Sequence, residues 1–436
     1  MPVATPSSSP ENIVILGGGL TGISTAIHLK KPWLLFEKEA RLGGHARTDE
    51  TRGFFFDKTG HWLHLRDPGI KALMQELLPG QLTTVERKAR IFSHGALTRY
   101  PFQANLYGLP PDIVSECLLG FLRTQLAPAA DAPKNFEEFC LQKFGAGISK
   151  HFMIPYNYKL WGVHPREITS AWCSRFVPVP KLDDVVKGAV GDVPPELGYN
   201  ISFLYPKTGG IETMTKALIS RMAGGQVHTS APAERIDTAA RTVTVGGEVF
   251  KWSAMVATMP LPEICRVLAE APKEVEVAAA HLRCTPVRYL NVATKSSPRS
   301  DFHWIYVPEE KYPFYRVGIY TNAVPQMAPP GCGSLYVELS DRGPLPKVDA
   351  ILPDVAQALY AAGALNAPDD IVFAELKELT YAYVVFDDHY YSSVDTIVRY
   401  LESQRIYPRG RYGSWIYNAM EDCILAGRDI ATQLSA

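Results

Sequence analysis

The sequence lacks the cysteine patterns of a zinc site or a disulfide framework. Its seven cysteines are scattered and odd in number, and no two of them form a CxxC pair. Structural zinc sites and disulfide-stabilised secreted domains place cysteines in pairs at short spacing, so neither kind of protein is expected. Free thiols are typical of a reducing compartment, and we predict a cytoplasmic protein with no metal site.

Charge of one sign is also lacking, because 44 Lys and Arg residues offset 45 Asp and Glu residues. A balanced chain has no bulk field for nucleic acid or an anionic membrane, so we predict neither as a partner. An anionic ligand would have to be held by individually placed arginines.

The first ten residues lack the pattern of a secretory signal. The longest apolar run, residues 13–29, contains four glycines, which favours strand, turn and helix over a membrane span.

What is present indicates the α/β class. Residues 12–16 and 33–36 are short apolar runs typical of buried strands, and residues 20–29 between them have helical spacing. The three segments together predict one βαβ unit. Between about 109 and 165, apolar residues recur at helical spacing. Between about 285 and 340, short alternating segments are divided by Pro- and Gly-rich loops, which predicts an antiparallel sheet.

The βαβ unit carries a dinucleotide-binding pattern. Gly17, Gly19 and Gly22 follow the first strand and open the helix, where they permit a tight turn, close approach of a pyrophosphate and close packing of helix on strand. Glu37 ends the second strand, twenty residues after Gly17 (37 − 17), where an acid takes the ribose hydroxyls. The alternative is an ordinary Gly-rich turn beside a surface glutamate. That alternative is disfavoured because strand, helix, acid and spacing occur together.

The residues after Glu37 resemble the FAD-binding signature of the amine oxidase and mutase group. A second glycine pair, Gly43-Gly44, follows the acid, and Gly60-His61 comes after it. NAD dehydrogenases usually lack this continuation, so the resemblance implies FAD. The predicted cofactor-binding residues are Gly17, Gly19, Gly22, Glu37, Gly43, Gly44, Gly60, Arg411 and Met420.

With 436 residues and 46% hydrophobic content, the chain is long enough for two or three structural units. We predict an FAD-binding Rossmann-like domain assembled from residues 1–105, 200–275 and 385–436. A mainly helical substrate domain of residues 106–199 would be inserted into it. Residues 276–384 would form an antiparallel β-sheet domain.

Further motifs resemble UDP-galactopyranose mutases, the eukaryotic type more than the short bacterial type. The resemblance runs from about residue 11 to the C-terminus, and the motifs come in the family's order. They lie at residues 100–103 (YPFQ), 155–161 (PYNYKLW), 171–172 (AW), 203–206 (FLYP), 304–306 (WIY), 313–316 (PFYR) and 410–417 (GRYGSWIY).

This resemblance implies an isomerase that interconverts the pyranose and furanose forms of a nucleotide-linked sugar, with a UDP-sugar as partner. In that family the N5 atom of reduced flavin is taken to attack the anomeric carbon as UDP leaves. The sugar ring then recloses through another hydroxyl and UDP returns. The overall reaction is redox-neutral, but the flavin must be reduced, and an external reductant such as NADPH could supply the electrons.

The same resemblance implies the site residues. His61 would lie beside the reactive face of the flavin, Arg411 would contact the flavin, and Arg316 would clamp the diphosphate, for which a planar guanidinium fork is suited. A lone tyrosine is more often a core residue, but three matched ones favour a diphosphate site. The implied substrate contacts are Tyr306, Tyr390 and Tyr417 for the diphosphate, Tyr100, Gln103, Phe152 and Asn157 for uridine, and Trp161, Asn200, Trp304 and Arg175 for the sugar end.

Three positions depart from the family pattern, all at the substrate end. Phe176 stands where the family has an arginine, with Arg175 one residue earlier. His64 replaces an aromatic residue over the base, and Phe92 replaces an arginine near the sugar. The departures suggest a different nucleotide sugar or a changed reaction, and they leave the sugar, the nucleotide, the reductant and the oligomeric state open.

Two other functions fit parts of the sequence. An FAD-dependent oxidase or desaturase of the amine oxidase group would share the N-terminal signature without needing Arg316 and the three tyrosines. A non-catalytic flavoprotein would tolerate loss of His61 and Trp161, and both are present.

Overall fold

The computed structural model of the protein describes residues 12–128, 131–173, 177–191 and 202–436, so Arg175, Phe176 and Asn200 lie outside the described residues. The strands are β1 Ile13–Leu16, β2 Trp33–Phe36, β3 Thr48–Thr51, β4 Phe54–Asp57, β5 Leu82–Glu86, β6 Ala89–Ser93, β7 Ala96–Arg99, β8 Ser202–Pro206, β9 Gly225–His228, β10 Ala233–Asp237, β11 Thr242–Val245, β12 Glu248–Lys251, β13 Ala254–Ala257, β14 Cys284–Thr294, β15 Trp304–Tyr306, β16 Phe314–Ile319, β17 Gly333–Leu339, β18 Ile371–Val384 and β19 Ile406–Pro408. The α-helices are α1 Leu20–His28, α2 Pro68–Leu77, α3 Pro111–Leu126, α4 Phe136–Ile148, α5 Ile154–Trp161, α6 Leu182–Val190, α7 Glu212–Ile219, α8 Leu261–Arg266, α9 Lys273–His281, α10 Tyr320–Ala323, α11 Val348–Ala361, α12 Tyr390–Ser403, α13 Gly410–Gly413 and α14 Met420–Ser435.

A five-stranded parallel sheet forms the dinucleotide-binding half, in the order β19-β13-β1-β2-β9. Every residue of β1 and β2 is buried, as expected for strands covered on both faces. The helix α1 connects them and packs against α14 at the C-terminal end of the chain. The predicted βαβ unit is therefore confirmed.

A seven-stranded sheet forms the other half, in the order β18-β14-β17-β16-β15-β6-β7. The four predicted segments between residues 285 and 340 are strands of this sheet, with antiparallel pairing among them. The predicted antiparallel sheet is therefore confirmed, and it also includes one parallel pairing, between β15 and β6. β6 and β7 come from residues 89–99, so a distant part of the chain extends the sheet beyond Tyr306.

The helical segment brings α5 to the edge of this sheet. α3 and α4 pack closely where glycines meet: a Cβ on Gly145 would lie 2.2 Å from the carbonyl oxygen of Gly120. Gly145 has a φ of +77°, which bends the chain within α4. A π-helical turn, Ser149–Met153, then leads into α5. No helix in the described part of the chain has the length and apolarity needed to cross a membrane.

Candidate active site

The turn between β1 and α1 is built from glycine backbone. Gly17 has a φ of +104°, and its N–H donates to the carbonyl of Phe36 at 2.8 Å. A Cβ on Gly22 would lie 2.0 Å from the carbonyl oxygen of Gly17. A Cβ on Gly19 would meet only the Cα of Gly44, at 4.0 Å. The N-terminus of α1 therefore presents glycine backbone to the second glycine pair, the arrangement that close approach of a pyrophosphate requires.

Glu37 stands at the end of β2 and is 7% exposed. Its carboxylate accepts from the N–H of Gly18 at 2.6 Å and from the N–H of Glu39 at 2.9 Å. These contacts fix the orientation of the carboxylate beside the α1 turn, within reach of a ribose at that turn. The N–H of Gly43 donates to the carbonyl of Gly18 at 2.8 Å, which joins the second glycine pair to the first loop.

The C-terminal segment closes on the same turn. Gly410 has a φ of +79°, and a Cβ there would lie 2.2 Å from the hydroxyl oxygen of Thr21 on α1. Met420 begins α14 and is partly buried. Gly60 is held against the sheet, since a Cβ there would lie 2.3 Å from the hydroxyl of Tyr336. Gly410 was not among the predicted cofactor-binding residues, because its positive φ and its contact with α1 are tertiary features.

His61 and Arg411 are partly buried and lie near this turn. Burial and the charge of Arg411 lower the pKa of His61 to about 4. The His61 Nδ1 atom is buried and has no hydrogen-bond partner among the described residues. Arg411 donates to the carbonyls of Asn418 at 2.7 Å and Ala382 at 3.0 Å, and its guanidinium lies 4.5 Å from the centre of the Tyr417 ring. A neutral imidazole beside a fixed cation favours negative charge in any group bound against them.

A cavity of about 260 Å³ lies between α5, the β15–β16 strands and the C-terminal end of β18. Eight of the predicted site residues line it, and aromatic side chains form most of the remaining wall. The lining residues are Tyr100, Gln103, Phe136, Phe152, Met153, Tyr156, Asn157, Leu160, Trp161, Trp172, Val177, Pro178, Tyr306, Arg316, Tyr383, Phe386 and Tyr417.

Arg316 brings a positive charge to this aromatic cavity. Its Nη2 donates to Glu338 Oε1 at 2.7 Å and to the hydroxyl oxygen of Tyr383 at 2.8 Å. Its side chain is 22% exposed, whereas that of Glu338 is fully buried. The Tyr383 ring is parallel to that of Tyr417, with centroids 6.5 Å apart. Because Arg411 covers Tyr417, these two rings lie between the arginine of the cavity and the arginine near His61.

Stacked rings form the far wall of the cavity. The Phe152 and Tyr156 rings are parallel, with centroids 5.2 Å apart. The amide of Gln103 donates to the carbonyl of Pro178 at 3.0 Å, and that of Asn157 donates to the carbonyl of Met153 at 2.7 Å. Trp161 packs near Trp172 and Tyr383 at centroid distances of 5.9 and 5.6 Å. An aromatic wall with two oriented amides suits a planar base with a polar edge.

Two predicted residues lie outside this lining. Tyr390 is buried and donates its hydroxyl to the carbonyl of Trp415 at 2.6 Å. Trp304 is 6% exposed and stacks on Trp62 at 6.0 Å. Tyr383, which sequence reasoning missed, makes the tyrosine contact with Arg316 instead. Arg175 and Asn200 are predictions outside the described residues.

His64 and Phe92, two of the positions that depart from the family pattern, both lie away from the cavity. Phe92 is buried and packs against Tyr312 at 5.4 Å between ring centroids, so it belongs to the core of the seven-stranded sheet. His64 is partly exposed, with its Nδ1 3.3 Å from the carbonyl oxygen of Ser202 and its ring edge-on to Phe203. Neither side chain lines the cavity.

Residues 20–434 match the family model of flavin containing amine oxidoreductases. The chain belongs to this family. The match covers both the dinucleotide-binding half and the half that contains the cavity.

Solved structures share the fold over almost the whole chain. The structure of a reduced UDP-galactopyranose mutase superposes with a TM-score of 0.91 at 26% identity, over 98% of this chain and 94% of that one. A provisionally assigned protoporphyrinogen oxidase from Exiguobacterium has a TM-score of 0.75 at 14% identity, over 98% and 99% of the two chains. Putrescine oxidase has a TM-score of 0.64 at 14% identity, over 97% and 99%. The last two similarities concern the fold alone.

The residues of the site fit the flavin that this family uses. The glycine backbone at Gly19 and Gly44 suits the close approach of a pyrophosphate, and Glu37 is positioned for a ribose. Arg47 Nε and His61 Nδ1 are buried and have no hydrogen-bond partner among the described residues. Both atoms lie on the segment that follows the second glycine loop. The described residues thus hold donors that a bound flavin could satisfy.

Proposed function

We propose that the protein is an FAD-dependent mutase that interconverts the pyranose and furanose forms of a nucleotide sugar, with a UDP-sugar as substrate. The observation that carries the proposal is the position of Arg316. A guanidinium held by Glu338 enters a cavity otherwise lined mainly by aromatic rings. An oxidase acting on an amine has no need for a fixed cation there, whereas a diphosphate does.

The chain's own residues have distinct roles in this proposal. Arg316 binds the diphosphate, and the hydroxyls of Tyr306, Tyr383 and Tyr417 contact the remaining phosphate oxygens. Phe152 and Tyr100 contact the base, and the Gln103 and Asn157 amides bind its edge. Trp161 bounds the sugar.

FAD, when bound and reduced, supplies the nucleophile for the anomeric carbon. His61 and Arg411 act on the cofactor side. The neutral imidazole of His61 adds no positive charge of its own, and Arg411 stabilises negative charge on a reduced cofactor. Arg316 and the residues that contact the base hold the nucleotide in the cavity, so it stays close to the sugar throughout the reaction.

The test is to incubate dithionite-reduced protein anaerobically with a panel of UDP-sugars and to separate the products by chromatography. We expect a new isomer of one UDP-sugar, formed only when the flavin is reduced, with no stoichiometric use of reductant or oxygen. No isomer of any UDP-sugar, with binding of UDP absent as well, would refute the proposal.

An oxidase or desaturase is the second candidate, favoured by the match to flavin containing amine oxidoreductases and by the fold shared with putrescine oxidase. Such an enzyme would turn over with oxidised flavin. Steady hydrogen peroxide production with an amine or sugar substrate would support it over the mutase.

A further inference from the structure

Lys159 lies on the helix that forms one wall of the cavity, but it does not line the cavity. α5 contributes Tyr156, Asn157, Leu160 and Trp161 to the lining. These four positions share one face of the helix, as residues three to four apart do. Lys159 leaves the helix in another direction and is 7% exposed.

The ammonium group of Lys159 is surrounded by backbone carbonyl oxygens. Its three N–H groups are shared among the carbonyl oxygens of Val307 at 3.2 Å, Glu309 at 2.8 Å, Tyr312 at 3.0 Å and Phe314 at 2.6 Å. Three of these carbonyls belong to the connection between β15 and β16, residues 307–313, and the fourth belongs to Phe314, the first residue of β16. The surrounding acceptors favour the charged amine, because a neutral amine would turn its lone pair towards a carbonyl oxygen. Burial lowers the pKa of Lys159 to about 7, and Glu309 and Glu310 act in the opposite direction.

The connection held by Lys159 joins the two strands that carry polar groups into the cavity. Tyr306 is the last residue of β15, and it pairs across the sheet with Arg316 on β16. Both line the cavity. The N–H of Val307 also donates to the carbonyl of Tyr315 at 2.8 Å, so the connection begins directly beside this pair. A change in its shape would therefore shift Tyr306 and Arg316 relative to α5.

The end of α5 is tied to the same sheet by two further contacts. Arg342 donates to the carbonyl oxygens of Lys159 at 2.9 Å and Leu160 at 3.1 Å. The hydroxyl of Thr285 on β14 donates to the carbonyl of Trp161. These contacts fix the helix to β14 and to the residues after β17, and Lys159 extends the attachment to the β15–β16 connection.

We propose that Lys159 is a positioning residue, which holds the β15–β16 connection at a fixed distance from α5. It thereby sets the distance between Arg316 and the wall formed by Phe152 and Tyr156. The inference rests on the proposed function, since the diphosphate site is itself proposed. Lys159 touches neither the cavity nor the cofactor residues, so its effect on ligand binding acts through Tyr306 and Arg316.

The test compares Lys159→Met and Lys159→Ala with Lys150→Ala in FAD-loaded protein. Lys150 is a matched control because it lies on the preceding helical turn with its side chain 64% exposed. UDP affinity is measured by calorimetry, flavin content by absorbance, and the exchange of amide hydrogens in residues 307–316 by mass spectrometry. We expect both Lys159 variants to lose at least tenfold in UDP affinity and to exchange faster in 307–316, with flavin content and the control unchanged.

Chemical rescue distinguishes positioning from general packing. Lys159→Ala leaves space beside four carbonyl oxygens, which a small cation can occupy. Ammonium ions should restore much of the UDP affinity, and the larger tetramethylammonium ion should not. UDP affinity and amide exchange equal to those of the wild type would overturn the inference, and so would loss of flavin together with UDP and no rescue. A wild type that binds no UDP would instead overturn the proposed function, before any variant is compared.

Discussion

Arg316 and Glu338 face each other across β16 and β17, and their side chains form an ion pair of 2.7 Å with the carboxylate fully buried. The other carboxylate oxygen, Glu338 Oε2, has no hydrogen-bond partner among the described residues. Burying the Glu338 carboxylate without a cation would cost free energy, so the carboxylate holds the guanidinium of Arg316. Because one nitrogen of the guanidinium is fixed, its other donors are also kept in place. The pair therefore orients Arg316 towards the cavity before any ligand arrives.

Replacing Arg316 should abolish most UDP binding. Loss of a charge-assisted clamp in a partly dry site costs about 2–5 kcal/mol of binding free energy. Arg316→Ala also strands the Glu338 carboxylate, so Arg316→Ala combined with Glu338→Gln is the better-folded form to titrate. Arg288→Ala serves as the control, since Arg288 pairs with Glu378 on the same sheet and does not line the cavity. Unchanged UDP affinity in the double variant would remove Arg316 from the diphosphate site.

Loss of the hydroxyl should lower UDP affinity at Tyr383 and the free energy of unfolding at Tyr390. Tyr383→Phe removes an oxygen that accepts from Arg316, and UDP affinity should fall about tenfold. Tyr390→Phe removes a donor to the carbonyl of Trp415, which should lower the free energy of unfolding by about 1 kcal/mol and leave UDP affinity unchanged. Calorimetric titration and urea unfolding of both variants measure the two effects. A larger loss of UDP affinity in Tyr390→Phe would restore that residue to the site.

The contrast between these tyrosines shows which parts of the site were predictable. The glycine loops and Glu37 follow from short-range rules, because turn geometry and strand ends are local properties of the chain. Arg316 was predicted because its neighbours form a recognisable motif. Tyr383 was not, because its position depends on the pairing of the long strand β18 with β14, which shifts register between Thr285 and Val287. Pattern alone does not give such a shift.

Glu338 and Lys159 were missed for a different reason. A glutamate in an apolar strand and a lysine in a short helix are normally solvent-exposed, so composition gives no reason to bury them. Both are buried because partners from distant segments compensate their charge. The parallel pairing of β15 with β6 has the same origin, since β6 reaches the sheet from a segment more than 200 residues away along the chain.

His61 should stay neutral over the working pH range and make folding sensitive to acid. Its pKa is about 4 in the folded protein, below the ordinary value of 6.5. A histidine with a depressed pKa binds fewer protons when folded, so its contribution to stability is present above pH 6.5 and is lost as the pH falls towards 4. Urea unfolding at pH 7 and pH 5 should show a smaller loss of stability in His61→Gln than in the wild type. His389→Gln, at an exposed histidine, should behave like the wild type, and an equal acid response in all three proteins would contradict the assignment.

The purified protein should be yellow and should release FAD, rather than FMN, when it is denatured. The reason is that the glycine backbone at Gly19 and Gly44 and the acid at Glu37 serve the pyrophosphate and the adenosine ribose, which FMN lacks. Gly44→Val tests this directly. Its Cβ would lie 3.1 Å from the Cα of Gly19 at a φ of +57°, so the side chain must crowd the space where the pyrophosphate would lie. Gly191→Ala is the matched control, because a Cβ there meets nothing within 4 Å. Chromatography of the denatured supernatant should give full FAD content for the control and strongly reduced content for Gly44→Val, with both proteins folded by circular dichroism. FMN in the supernatant, flavin retained by the precipitate, or full FAD content in Gly44→Val would each argue against a non-covalent dinucleotide at this turn.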